Sequence, residues 1–152
     1  MKRGIVEYRR GSCLVSTDRR KLDLDVIHTF LTNCYWCPGI PRKVVAESIK
    51  GSLCFGVYDK RRQVGFARVI TDCATYGYIA DVFILASHRG HGLSKWLMQC
   101  IMQHPALQNL RRWSLVTRDA HGLYEQYGFV RPAQPERYME IVKRDIYKKT
   151  GG

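Results

Sequence analysis

The chain has 152 residues, 45% of them hydrophobic and 25% charged, which suits a single soluble globular domain with a core of its own. No apolar run approaches the roughly 20 residues of a membrane span, and the opening "MKRGIVEYRRGSCLV" lacks the apolar stretch and cleavage site of a secretory leader. A cytoplasmic protein with no membrane partner is expected, and with it six cysteines kept as thiols rather than as a disulfide frame.

Lys and Arg number 25 against 13 Asp and Glu, a formal charge of +12. That excess favours an anionic partner: nucleic acid, a membrane surface or a polyphosphate-bearing cofactor. The basic residues are spread through "KRGIVEYRR", "DRRK", "DKRR", "RR" and "KKTGG", the distribution of a solvated surface rather than of one dedicated patch.

"CLVS" at 13–16 reads as a short strand. A turn follows, then Leu24, Ile27, Phe30 and Leu31 at helical spacing, with Asp23 placed to accept the free N–H groups of the first turn. "YWCPGIP" interrupts as a loop, and "RKVVAESIKG" is a second short helix stopped at Gly51. The pattern then changes period. Segments 52–59, 63–71 and 76–86 are rich in Val, Ile, Phe and Tyr and are separated by "KRR" and "DCAT". They are predicted as antiparallel hairpins, because the connections are too short for a crossover. "HGLSKWLMQCIMQH" is a helix with Leu93, Trp96 or Leu97, Cys100 and Ile101 on one face, ended by Pro105. A strand over 111–117, a short helix in "DAHGLYEQYG" closed by Gly128, and a last strand over 137–143 complete the chain. The predicted class is α+β: a mainly antiparallel sheet flanked by helices, with one strand–helix–strand crossover and no internal repeat.

The junction "FILASHRGHGLSKWLM" at 83–98 carries the chemistry. Gly90 and Gly92 lack Cβ, so the backbone turns tightly and another group can approach it. The following helix presents unpaired N–H groups and the positive end of its dipole. Together these make an anion site, above all for phosphate, to which Arg89, His91 and Lys95 add side-chain donors. The turn is neither a P-loop nor a dinucleotide G-x-G-x-x-G, since no Gly-Lys-Ser/Thr follows and Trp96 stands beyond the second glycine.

"RGHGLS" (89–94) resembles the acetyl-CoA signature of the GNAT superfamily of N-acyltransferases, Arg/Gln-x-x-Gly-x-Gly/Ala, with Arg89 and Gly92 at its first and fourth positions and Ser94 where Gly or Ala is usual. "LYEQYGF" (123–129) resembles the same family's Tyr-x-x-x-Gly-Phe element, and the order of elements over 13–143 fits as well. The resemblance implies a GNAT-like mixed, mainly antiparallel sheet of about six to seven strands with about four helices, splayed between the fourth and fifth predicted strands, in one N-acetyltransferase domain over 1–152. It implies acetyl-CoA as co-substrate. Val82, Phe83 and Ile84 would pair with the pantetheine arm, and Arg89, Gly90, His91, Gly92, Leu93 and Ser94 would hold the pyrophosphate. Thr117 stands where the family often has a cofactor-contacting Asn. Tyr124 is the implied general acid for the departing thiolate.

For the base, Asp81 lies just before the cofactor segment, between Ala80 and Val82, where desolvation would raise a carboxyl pKa; alternation puts it on the same face as Phe83. Tyr35 and Trp36, in the kinked "CYWC" loop, are expected to wall the acceptor pocket. That C-x-x-C lacks a redox setting. A zinc site pairing it with His88 and His91 would draw on a residue of the phosphate loop, so no metal is expected. The function so implied is acetyl transfer to the primary amine of a small molecule, in a monomer or homodimer. The alternatives are acetylation of a macromolecular amine, such as a protein or an aminoacyl-tRNA, and a non-catalytic nucleic-acid-binding module. The latter has no recognisable motif behind it.

Overall fold

The computed structural model describes residues 4–148. Six strands form one sheet in chain order: β1 (Glu7–Arg10), β2 (Cys13–Ser16), β3 (Leu53–Asp59), β4 (Arg62–Thr71), β5 (Tyr76–Ile84) and β6 (Arg112–Ser114). Neighbours from β1 to β5 are antiparallel, and β5 and β6 are parallel. The parallel pair needs a crossover, which α3 (Leu93–Gln103) supplies. Helices α1 (Leu24–Thr32) and α2 (Arg42–Lys50) lie between β2 and β3, and α4 (His121–Glu125) follows β6.

Local chemistry sets these boundaries. The Asp23 carboxylate accepts from the backbone N–H of Asp25 and Val26 and starts α1. Pro41 precedes α2, and Gly51 follows it. The β4–β5 turn closes on Asp72, which accepts from the N–H groups of Ala74, Thr75 and Tyr76 and from the Thr75 hydroxyl. These bonds, led by that of the Thr75 side chain, hold its carboxyl well below the usual carboxylate range.

The sheet separates two apolar clusters. One face packs Phe55, Val57, Val64 and Val69 against Leu97, Met98 and Ile101 of α3; the other packs Cys54, Phe66 and Phe83 against Ile27, Leu31 and Val45 of α1 and α2. Period-two alternation sends Leu53, Phe55 and Val57 of β3 to the first cluster and Cys54 to the second, and holds in β4 from Phe66 to Val69; Val64, the extra β4 residue opposite the Val57–Tyr58 step, also faces the first cluster.

β5 breaks that alternation. Ile79 faces the α3 cluster, yet Phe83 faces the α1 cluster and Ile84 the first again. The cause is a bulge: Arg68 pairs with Ala80 and Phe66 with Phe83, so Asp81 and Val82 stand opposite Ala67 alone. Asp81 takes the left-handed region, φ +56°, a conformation uncommon outside glycine but better tolerated by Asp and Asn than by other side chains.

β6 pairs with β5 only at its start, Tyr76–Tyr78 against Arg112–Ser114, where the Tyr76 hydroxyl and Ser114 Oγ hydrogen-bond across the pair. β5 continues to Ile84 while β6 ends, so the expected splay between these strands is present.

Two elements differ from the sequence reading. β1, "EYRR", has no apolar alternation to reveal it; it forms by pairing with β2 beside the Val6–Thr17 hydrogen bonds. The strand predicted at 137–143 is not formed. This stretch makes no ladder bonds; the chain runs on to Tyr147, which packs into the α1 cluster. Tertiary anchoring overrides the β-like pattern of "RYMEIVK".

Leu97 is fully buried between α3 and the sheet. Leu97→Ala should lower unfolding stability by about 2–5 kcal/mol, read as a shifted midpoint at constant slope in urea denaturation.

Candidate active site

The bulge decides where the site lies. It turns Asp81 toward the α1 face with a side chain only 10% exposed. Asp81 Oδ2 accepts from Arg68 Nε at 2.6 Å, and Oδ1 accepts from Trp36 Nε1 at 2.9 Å. Arg68 also donates from Nη1 to Ser52 Oγ at 3.1 Å. The carboxylate is therefore not the lone desolvated group that its apolar neighbours suggested. A guanidinium compensates it, and both oxygens are engaged.

Through its indole N–H, Trp36 fixes the 33–41 loop to the sheet. Phe30 of α1 stacks on Phe83 at 4.0 Å and lies 6.1 Å from the Trp36 ring; Tyr35 meets Trp36 edge-on at 5.2 Å. Arg118, four residues past β6, stacks its guanidinium over Tyr35 at 3.8 Å. The Cys34 and Cys37 sulfurs lie 3.4 Å apart, and both accompany the Leu31 carbonyl. Burial, then the Cys34 thiol, pushes the Cys37 thiol far above its ordinary pKa, so it stands as a packed thiol and not as a reactive one.

Tyr124, on α4, is 9% exposed and meets Phe129 edge-on at 6.1 Å. Burial pushes its phenol above the ordinary value, and Tyr35 adds to the shift; the neutral, proton-bearing form is the favoured one. Tyr127, three residues on, is committed elsewhere: its hydroxyl donates to the Lys95 carbonyl at 2.6 Å and ties α4 to α3. Thr117 Oγ1 accepts from Ala120 N and shapes the turn before α4.

The glycine turn follows the same C-terminal end of β5 that carries the bulge. Gly90 and Gly92 have φ of +84° and +75°, and a Cβ built at either would meet nothing within 4 Å. Gly92 caps α3 without a side-chain bond, and the first intrahelical acceptor is its own carbonyl, taken by Trp96 N–H. The N–H groups of the first turn thus point away from the helix unpaired. Arg89 Nε donates to the Ile84 carbonyl at 2.9 Å and joins the turn to the strand.

Two cavities flank this end. One, of about 520 Å³, lies along α1 and is lined by Val26, Thr29, Phe30, Cys34 and Leu85. The other, of about 540 Å³, lies under the β3–β4 hairpin and is lined by Asp59, Lys60, Arg61, Arg62 and His88, with His88 Nε2 hydrogen-bonded to Asp59 at 3.0 Å. Among the described residues, no group of three or more His, Cys, Asp or Glu side chains converges as a metal site, and no helix is long and apolar enough to cross a membrane.

Residues 50–131 match the model of the acetyltransferase (GNAT) domain. The chain belongs to the GNAT acetyltransferase family. A protein of Gibberella zeae assigned as an acetyltransferase is 35% identical, over 77% of this chain and 78% of its own. A crystal structure from Xanthomonas campestris pv. campestris, assigned to the same family, is 49% identical; the match covers 90% of this chain and 97% of that one, with a TM-score of 0.88. A predicted acetyltransferase of Clostridium acetobutylicum, solved with acetyl-CoA, shares the fold at 15% identity and a TM-score of 0.60, over 78% of this chain and 86% of its own.

In this GNAT chain the sequence-predicted residues fall into two groups. Tyr35, Trp36, Asp81 and Tyr124 gather about the bulge and the open end of the β5–β6 wedge, while Arg89 to Ser94 form the turn. Val82 to Ile84 connect the two. Sequence reasoning missed Arg68, Phe30 and Arg118. Arg68 had a signal, as the only charged residue within "QVGFARVIT".

Arg68 and Asp81 are both largely buried. Arg68→Met should therefore cost about 3–5 kcal/mol by stranding the carboxylate. Adding Asp81→Asn to it should restore part of that loss, a coupling that a double-mutant cycle in chemical denaturation measures.

Proposed function

We propose that the protein transfers an acetyl group from acetyl-CoA to the primary amine of a small molecule by direct attack, with Tyr124 as general acid. The observation that carries this reading is the pairing of a buried, neutral phenol with an open β5–β6 wedge whose far end meets the left-handed glycine turn. The wedge leaves the side of β5 that faces away from β4, over Val82, Phe83 and Ile84, without a strand partner and so open to an amide-bearing arm. The turn offers the N–H groups of Gly90, His91, Gly92, Leu93 and Ser94, with Arg89 beside them, for a pyrophosphate. The empty space over Gly90 and Gly92 leaves room for such a group, and the cavity along Phe30 and Leu85 adjoins the path between the two.

The acceptor would enter beside Tyr35 and Trp36. Asp81, held by Arg68, keeps Trp36 in place there. We assign it this positioning role in preference to that of proton acceptor, since both its oxygens are already engaged. Thr117 shapes the turn that carries Tyr124 and in this reading acts through it. As the neutral amine attacks the thioester carbonyl, the carbon–sulfur bond breaks and the thiolate takes the proton that Tyr124 gives up, while the new amide nitrogen sheds its extra proton to solvent, from which the Tyr124 phenolate is reprotonated. The whole chain is read as one N-acetyltransferase domain, and its cysteines, all free thiols, fit a cytoplasmic setting.

Tyr124→Phe keeps the ring and removes the hydroxyl. It should lower kcat by about 10²–10⁴ in a thiol-release assay over a panel of small primary amines, while calorimetry still detects coenzyme A binding. Wild-type turnover by Tyr124→Phe would transfer the role to another group.

A further inference from the structure

The chain keeps six free thiols, and two of them are placed unlike the rest. Cys34 and Cys37 bracket Tyr35 and Trp36 in the loop after α1, with their sulfurs 3.4 Å apart. Cys54 and Cys100 are buried in the two apolar clusters, and Cys13 and Cys73 pack partly on the first. Among the described residues, none of these four has another cysteine sulfur in hydrogen-bond contact.

The backbone holds the two sulfurs together. Cys34 N–H donates to the Leu31 carbonyl at 3.2 Å, and both thiols reach that same oxygen, Cys34 Sγ at 3.0 Å and Cys37 Sγ at 3.5 Å. Past Cys37 the loop returns to the helix end. Gly39 N–H donates to the Thr32 carbonyl at 2.9 Å, and Ile40 N–H to the Cys37 carbonyl at 3.1 Å. A pair held this way has already lost most of the freedom that ring closure would remove. Drawing the sulfurs to the ~2.05 Å of a disulfide takes their S–H groups from the Leu31 carbonyl, which keeps the Cys34 N–H. The bridge is therefore compatible with the end of α1 as it stands.

Access differs between the two thiols. Cys34 lines the cavity of about 520 Å³ along α1 and Cys37 does not, so a small oxidant entering there meets the Cys34 sulfur first. Cys37 is held protonated by burial and then by the Cys34 thiol beside it; the second of these influences ends when Cys34 is oxidised. An accessible thiol with a second one poised behind it is the arrangement in which oxidation ends in a disulfide. No strand–helix–strand unit of an oxidoreductase surrounds the pair; the pair itself is what reacts.

We propose that Cys34 and Cys37 form a modification site at which hydrogen peroxide closes the loop around Tyr35 and Trp36 with a disulfide. The Cys34 sulfur attacks one peroxide oxygen and the O–O bond breaks. The leaving hydroxide takes the Cys34 proton and departs as water, and the sulfur is left as a sulfenic acid. The Cys37 sulfur then attacks the Cys34 sulfur, the S–O bond breaks, and the second hydroxide leaves as water with the Cys37 proton. Two thiols and one peroxide become one disulfide and two waters, the sulfurs giving up the two electrons that the peroxide takes. A dithiol reductant reverses the change by thiol–disulfide exchange. The proposal does not depend on the catalytic reading.

The test adds hydrogen peroxide to the reduced full chain and counts thiols before and after. The count should fall by two from six, with the other cysteines still open to alkylation, and dithiothreitol should restore it. Trypsin releases Cys34 and Cys37 in one peptide, 22–42, that holds no other cysteine. That peptide should lose the mass of two hydrogen atoms and resist alkylation until reduced. In NMR spectra of the oxidised protein the Trp36 indole N–H signal should move, while the amides of Gly90 and Gly92 stay in place. In Cys37→Ser, dimedone should trap Cys34 as the sulfenic acid, whereas Cys34→Ser should leave Cys37 reduced. An unchanged thiol count, oxidation spread over the other cysteines, or a bridge between two chains on a non-reducing gel overturns the proposal. So does a product that dithiothreitol cannot reduce, or a Trp36 signal that the bridge leaves unmoved. Because the count and the peptide mass are read on the unaltered protein, they decide the question even if a variant does not fold.

Discussion

At Asp81 the fifth strand carries one residue more than its neighbour can pair, and the ion pair with Arg68 holds that excess in place. The left-handed backbone there is unfavourable by itself, and a carboxylate taken out of water is more so. Arg68 and the Trp36 indole offset both by closing on the two oxygens. The consequences run in both directions along β5. Toward the turn, the inverted alternation sends Phe83 under Phe30 and fastens α1 to the sheet. Toward the loop, the same carboxylate fixes Trp36, and with it Tyr35 and the stacked Arg118.

This arrangement explains how so small a domain keeps a cleft open. β5 and β6 share only three residue pairs, sealed at their start by Tyr76 and Ser114. Beyond them β5 leans on the α1 face through Phe83, while the chain after β6 turns into α4, which Tyr127 ties to α3. The two strands are pulled toward opposite layers, so the backbone between them stays available. The proposed acetyl transfer would use the open side of β5 for an extended cofactor, the amides of the glycine turn for phosphate, and the Tyr124 phenol as proton donor.

Much of this was legible before any coordinates. Gly90 and Gly92 read as a tight turn, and both take the left-handed conformation. Tyr124 followed from "LYEQYGF", and the hairpins of β3, β4 and β5 followed from their period. The rest was hidden for physical reasons. The bulge depends on register between strands more than ten residues apart, which alternation within one strand cannot reveal. The Asp81–Arg68 pair depends on that bulge, so the carboxylate read as isolated. β1 is held by pairing and not by its own pattern, whereas 137–143 has the pattern of a strand but pairs with no strand among the described residues. Local sequence preference describes what a segment can pair with, not whether its own chain supplies the mate.

The central claim is that the β5–β6 wedge and the glycine turn form one continuous seat for coenzyme A. Amide NMR spectra of the isotope-labelled protein, titrated with coenzyme A, test it most directly. The account predicts saturable shifts at Val82, Phe83 and Ile84 together with Gly90 through Ser94, and little change in β1 and β2. Shifts confined to other surfaces, such as the β3–β4 hairpin alone, or no shifts at saturating ligand, would contradict it.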